Sequence, residues 1–109
     1  MEPVEINAGA WYLRALRHDE LMDDRPALAE LGETDSGYVS TCSAQWASDT
    51  RYTWAVCEPT TGEMLAEVIV DPTTATVRTR ARQGHADAAA IAEQSVRRFA
   101  AAMLGLAIS

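Results

Sequence analysis

Three arginines at alternate positions are the clearest candidates for contact with a charged ligand. Arg78, Arg80 and Arg82 are each separated by one residue, so a β-strand would place all three guanidinium groups on one face. Such a row could bind an anion. An alternating polar row is more often the solvated outer face of a half-buried strand, or it pairs with acids on neighbouring elements. The pattern favours this second interpretation and leaves the first one open.

A glycine and one of only two histidines follow this strand. Gly84 and His85 lie in a short segment, residues 83–87, ahead of a long helical pattern. A histidine here could act as a general base because its pKa is close to neutral pH. A lone histidine without a positioned partner is a weak sign of catalysis, so a polar loop residue is the favoured role for His85.

Cys42 and Cys57 are the only cysteines, which are too few for a disulfide scaffold. Together with His18 and His85 they show no metal-ligand spacing, so no metal site is predicted. Cys57 has no basic neighbour in its predicted strand that would activate the thiol. Both cysteines are expected to be buried as small hydrophobic residues in a reducing cytoplasm.

The composition is that of a folded, acidic protein. The length of 109 residues suggests one domain, and 48% hydrophobic and 23% charged residues are ordinary values. The net charge of −7 disfavours nucleic acid as a partner. No segment approaches the ~20 apolar residues of a membrane span, and no signal peptide is visible, so a cytoplasmic location is expected. Basic residues that are all arginine, with abundant alanine, suggest a GC-rich bacterial genome.

The first half of the chain predicts one strand and mainly helical structure after it. Residues 1–9 are polar and are expected to form a loose, flexible tail. The alternation in residues 11–16 predicts a strand. Residues 18–30 are helical in composition, with Pro26 as an interruption or a new helix start. Apolar spacing predicts a second helix over roughly residues 35–48.

The second half predicts a three-stranded antiparallel meander followed by one long helix. The strands cover residues 51–57, 64–70 and 75–82, joined by turns that are too short for parallel crossovers. The helix covers residues 88–104, where apolar side chains form a broad stripe. The predicted fold class is α+β, in the order β-α-α-β-β-β-α, with residues 10–109 as a single unit.

Three stretches, in this order and at this spacing, resemble the GNAT superfamily of N-acyltransferases. They are, from the N-terminus, WYLRALRHDEL, WAVCEPTTGEMLAEVIVD and ARQGHADAAAIAEQSVRRFAAAMLGL. The first resembles the opening strand, the second a hairpin with a Thr-Gly-Glu turn, and the third the acyl-CoA motif with its helix. The resemblance covers about residues 10–108 and implies a GNAT-like half-domain.

The resemblance also implies where acetyl-CoA would bind. The family loop, Q/R-x-x-G-x-G/A, holds the CoA pyrophosphate with backbone N–H groups at a helix N-terminus. By this resemblance, Gln83, Gly84, His85 and Ala88 would contact the cofactor. Only Gly84 is a glycine, whereas alanines stand where the backbone must approach the phosphates closely. Asp87 adds a negative charge there, and both departures argue against normal CoA binding.

The resemblance assigns a candidate role to Glu67. Glu67 lies on the middle strand of the meander, where some members of the family keep a carboxylate near the substrate amine. A general base is the function that this implies. The two-residue alternation of the strand favours a solvent-facing side chain instead.

Compared with the family, the chain resembles a truncated N-terminal half. Such a half would expose the edge of its last strand and one face of its last helix, and exposed edges need a partner. A C₂ homodimer is the simplest expectation, with another protein chain as the alternative.

Two functions therefore stay open. The favoured one is a non-catalytic, dimeric binding or regulatory module with a degenerate acyl-CoA loop. The alternative is an acetyl-CoA-dependent N-acetyltransferase whose active site is completed by a second chain.

Overall fold

A computed structural model describes residues 1–108 and shows a five-stranded antiparallel sheet with helices on both faces. The elements are β1 (Ile6–Ala8), β2 (Trp11–Arg14), α1 (Arg25–Glu30), α2 (Tyr38–Ser48), β3 (Tyr52–Cys57), β4 (Met64–Asp71), β5 (Thr76–Ala81) and α3 (Ala86–Met103). The strands lie side by side in the order of the chain, β1-β2-β3-β4-β5. The predicted α+β class, the meander and the long C-terminal helix are confirmed.

The central strands β3 and β4 are buried on both faces because each face carries its own hydrophobic core. One core joins Trp54, Val56 and Val68 to the small residues of α3, such as Ala92. The other core joins Ala55, Cys57 and Met64 to Leu28 of α1 and Cys42 of α2. Antiparallel strands usually alternate apolar and polar residues, whereas strands covered on both faces are apolar throughout.

Aromatic side chains fix the first of these cores. The Trp54 ring meets Trp46 edge-on at a centroid distance of 5.0 Å, and Phe99 of α3 at 5.6 Å. Edge-to-face contacts are the favoured geometry for aromatic pairs. The Trp46 indole N–H donates to the Thr53 carbonyl at 3.1 Å, which connects α2 to β3.

The expectation of a loose tail over residues 1–9 is wrong. Residues 6–8 form β1, in which Ile6 pairs with Leu13 and Ala8 with Trp11. The Trp54 indole N–H also donates to the Val4 carbonyl at 2.7 Å. A three-residue strand is too short to show alternation in the sequence, and its pairing is decided by contacts distant along the chain.

The prediction of helical structure over residues 18–30 is also wrong in its first half. Residues 18–24 form a turn in which Asp19 Oδ1 accepts from the backbone N–H groups of Leu21 at 2.9 Å and Met22 at 3.0 Å. Aspartate side chains compete in this way with helical hydrogen bonds. Helix α1 begins only at Arg25, and Pro26 lies in its first turn, where proline is tolerated.

Smaller differences concern the ends and faces of elements. The first predicted strand ends at Arg14, and α2 begins at Tyr38 because Asp35 accepts from the Gly37 N–H at 2.8 Å and forms a turn there. Ile91 and Met103, two apolar residues of the stripe predicted for the last helix, are 44% and 71% exposed. They do not belong to the buried face of α3, which carries Ala88, Ala92 and Val96.

Candidate functional site

Glu67 is the centre of a buried polar cluster between β4, β5 and α2. Its side chain is fully buried, and its strand neighbours in the register are Ala55 and Arg80. The Tyr38 hydroxyl donates to Oε2 at 2.7 Å, and Arg80 Nε donates to Oε1 at 2.8 Å. The expectation of a solvent-facing Glu67 is therefore wrong, because α2 covers this face of the sheet.

The other contacts of Arg80 complete the cluster. Arg80 Nη2 donates to Glu33 Oε1 at 3.2 Å and to the Tyr38 hydroxyl at 3.3 Å, and its guanidinium lies 5.8 Å from the centre of the Tyr38 ring. Burial, together with the hydrogen bond to Glu67, raises the pKa of Tyr38 well above its usual range. Tyr38 therefore stays a neutral donor at ordinary pH. Both Glu67 oxygens are occupied, so this carboxylate is held as a structural anion.

The loop that resembles an acyl-CoA motif lies at the N-terminus of α3. Gly84 has a φ of +86° and no neighbouring atom where a Cβ would stand, so its conformation, not crowding, calls for glycine. Gln83 and Gly84 are exposed, and His85 is half-buried at the helix N-cap without a side-chain cap bond. Ala88 is fully buried in the core against the sheet, so its side chain cannot contact a ligand. Only its backbone N–H, one of the unpaired N–H groups at the helix start, could do so.

The two candidate bases are not linked in the structure. Within residues 1–108, the His85 side chain makes no hydrogen bond, and Glu67 accepts from Tyr38 and Arg80 only. A general base needs a positioned partner or substrate proton within hydrogen-bonding reach. The geometry therefore does not join Glu67 and His85 into one catalytic unit.

The three arginines of β5 have different surroundings. Arg82 contacts Glu63 at 2.6 Å and Glu30 at 2.8 Å, and Arg80 is bound to Glu67. Arg78 is exposed, and no acid of the described chain pairs with it. The favoured interpretation of the row, pairing with neighbouring acids, is correct for Arg80 and Arg82.

A cavity of about 260 Å³ lies beside this row, between the sheet and the start of α2. Its lining includes Tyr38, Arg51, Ile69, Arg78 and Arg80. Arg51 precedes β3 and was not among the residues expected to bind a ligand. Only the strand register, which pairs Thr53 with Ile69 and Ile69 with Arg78, brings it near the arginine row.

A second buried ion pair joins β2 to the start of α1. Arg14 Nη1 and Nη2 donate to Asp24 Oδ2 at 2.8 Å and Oδ1 at 2.9 Å, and the two side chains are 7% and 1% exposed. Nη2 also donates to the Gly62 carbonyl at 3.0 Å, and the Arg17 N–H donates to Asp24. With all these bonds satisfied, the pair fixes three segments and offers no free group for chemistry.

Both thiols are buried, as expected. Burial raises the pKa of Cys42, and it raises that of Cys57 to about 12. A thiol with a raised pKa is a poor nucleophile because the thiolate is the reactive form.

Residues 1–108 contain no group of three or more potential metal ligands, and none of their helices combines the length and apolar character that crossing a bilayer requires.

The order of strands and the two helical layers define a GNAT-like fold. A solved structure from Vibrio cholerae, described as a "putative ribosomal-protein-serine acetyltransferase", has the same fold with a TM-score of 0.76. The match covers 97% of this chain and 72% of the other, at 13% sequence identity. No family model and no curated protein matches the sequence. At this identity the likeness establishes the fold alone.

Proposed function

We propose that this chain is a GNAT-like binding module that does not transfer acyl groups. The observation that carries the proposal is the state of Glu67. A general base must reach a substrate proton, whereas this carboxylate is fully buried and bound by Tyr38 and Arg80. Freeing it would leave the Arg80 guanidinium without its closest anion.

The start of α3 supports the same proposal. Asp87 is exposed in the first helical turn, where a carboxylate already interacts favourably with the helix dipole. A CoA pyrophosphate at this place would be repelled, by on the order of 1–4 kcal/mol per charge pair about 4 Å apart. Gly84 alone cannot replace a glycine-rich loop, because several N–H groups must approach the phosphates together.

A titration with acetyl-CoA tests the proposal. We expect no shift in the thermal unfolding midpoint and no heat of binding with millimolar acetyl-CoA. If the chain did bind it, acetyl-CoA at 100 times its Kd would add about 2.7 kcal/mol to the free energy of unfolding, which both methods would detect. Asp87→Asn is the matched variant, since it removes the charge and keeps the shape. Micromolar binding by the natural chain would contradict the proposal, and binding by the variant alone would identify Asp87 as the obstacle.

An acetyl-CoA-dependent N-acetyltransferase completed by a second chain is the other candidate. The observation that favours it is the exposed Gly84, which leads into the free N–H groups at the start of α3. In that function His85 is better placed than Glu67 to act as a base, because no side chain within residues 1–108 holds it by a hydrogen bond. Micromolar acetyl-CoA binding, together with acetyl transfer to an amine, would favour this candidate.

We further propose that the module acts as a homodimer through β5. Within the described residues, β5 (Thr76–Ala81) is the last strand of the sheet and has a neighbour on one side only. An unpaired strand edge can pair with another chain, and twofold pairing is the commonest form. We expect light scattering to give the mass of two chains at micromolar concentration. A monomeric mass would contradict the dimer and would leave another protein chain as the partner.

A further inference from the structure

Arg51 and Arg78 differ from most arginines of this chain. Arg14, Arg80 and Arg82 each contact a carboxylate, as do several exposed arginines. Within residues 1–108, neither Arg51 nor Arg78 forms an ion pair or a side-chain hydrogen bond. In a chain with 16 acidic residues and a net charge of −7, two cations without acidic partners on the same face need an explanation.

The two residues line the same cavity. Thr53, Ile69 and Arg78 lie side by side in neighbouring strands, and Arg51 precedes Thr53 by two residues, so both arginines are on the face that also carries Glu67. Ile69 lies between Thr53 and Arg78 in the sheet, and it lines the cavity together with Tyr38 and Arg80. Its volume of about 260 Å³ is slightly below the ~300–1,000 Å³ of usual small-molecule sites.

The charges around the cavity set how strongly it attracts an anion, and the apolar lining decides which anion it suits. Arg80 is already paired with Glu67 and Glu33, and Glu33 itself also lines the cavity. Asp71 follows Val70, the register partner of Tyr52, so it lies near Arg51. Its Oδ1 accepts from the N–H groups of Thr73 and Thr74, and within residues 1–108 it forms no ion pair. The two free guanidinium groups attract an anion, and the neighbouring carboxylates reduce that attraction. A doubly charged phosphate would feel both effects more strongly, so charge alone does not separate it from a carboxylate. The apolar lining does, because only an organic acid has carbon atoms that can be buried against Ile69 and the Tyr38 ring.

We infer that this cavity binds a small organic carboxylate. The planar guanidinium groups of Arg51 and Arg78 match a carboxylate, and such charge-assisted hydrogen bonds are stronger than neutral ones. Ile69 and the ring of Tyr38 provide apolar contacts for the carbon chain of the ligand. The inference does not depend on CoA binding, because none of the lining residues belongs to the loop of residues 83–87.

Titrations of the full chain with butyrate, benzoate and inorganic phosphate test this inference by NMR. We expect the carboxylates to give saturable shifts of the Arg51 and Arg78 Nε–H signals and of the Ile69 and Thr79 amides. Phosphate should bind at least several-fold more weakly. The double variant Arg51→Gln/Arg78→Gln should lose about tenfold or more in affinity, because one charge-assisted contact is of that order.

Arg98→Gln is the matched control. Arg98 is an exposed arginine of α3 that contacts Ser95 and lies on the other side of the sheet, so its removal should leave carboxylate affinity unchanged. Unchanged thermal unfolding of the double variant would show that it is folded, as expected for residues without partners. Shifts that do not saturate, equal affinity in the double variant, or tighter binding of phosphate would each overturn the inference.

Discussion

Arg80→Met should lower the free energy of unfolding by about 3 kcal/mol, because it leaves the buried Glu67 carboxylate without its cation. Breaking a buried pair from one side costs roughly 3–5 kcal/mol. The lower end applies here since the Arg80 side chain is 33% exposed, which lets water reach part of the vacated space. Urea unfolding followed by tryptophan fluorescence measures the change.

The double variant Arg80→Met/Glu67→Gln is the informative control. A glutamine keeps the shape of Glu67 and an acceptor for the Tyr38 hydroxyl, but it carries no charge to be left unpaired. We expect the double variant to be more stable than Arg80→Met alone. If both are equally unstable, then the loss comes from packing of the Arg80 stem, and the description of Glu67 as a structural anion would be wrong.

Arg14→Met should have an effect at least as large, about 3–5 kcal/mol, because the Asp24 carboxylate is even more completely enclosed. Both terminal nitrogens of Arg14 donate to Asp24, Nη1 also donates to the Ala15 carbonyl and Nη2 to the Gly62 carbonyl, so four hydrogen bonds are lost together. Urea unfolding again gives the magnitude, and circular dichroism shows whether the variant folds at all.

Two comparisons make this second result interpretable. Arg14→Met/Asp24→Leu replaces the whole pair by apolar groups and should recover much of the loss, though not the bonds to Gly62 and the Arg17 N–H. Arg17→Gln breaks the exposed pair with Asp19 and should change the free energy of unfolding far less than Arg14→Met, because exposed pairs contribute little. An equal loss in Arg14→Met and Arg17→Gln would contradict the importance of burial.

The sequence predicted the part of the fold that local patterns determine. Alternation and the short turns between the strands predicted the meander, and apolar spacing predicted α3. It did not predict β1, because three residues are too few to show a period. It also placed the start of α1 too early. The composition of residues 18–24 is typical of a helix, but Asp19 accepts hydrogen bonds from the backbone of Leu21 and Met22 and forms a turn instead.

The candidate site depends on information that a single strand does not carry. Alternation predicted that Arg80 shares a face with Arg78 and Arg82, but it could not tell that α2 covers the face of Glu67 and buries that side chain. The cavity between Arg51 and Arg78 depends on the register of three strands, which brings together residues 27 positions apart. Roles for Gln83, Gly84, His85 and Ala88 in CoA contact stay predictions from the resemblance.

The two hydrophobic cores share the same pair of strands, and this has a consequence for how the molecule unfolds. Because β3 and β4 supply side chains to both cores, unpacking the helices from one face of the sheet disturbs the strands against which the helices of the other face pack. The sheet thus couples α3 on one side to α1 and α2 on the other. Damage at the Arg14–Asp24 pair, although it touches only one layer, lowers the stability of the whole as one cooperative unit.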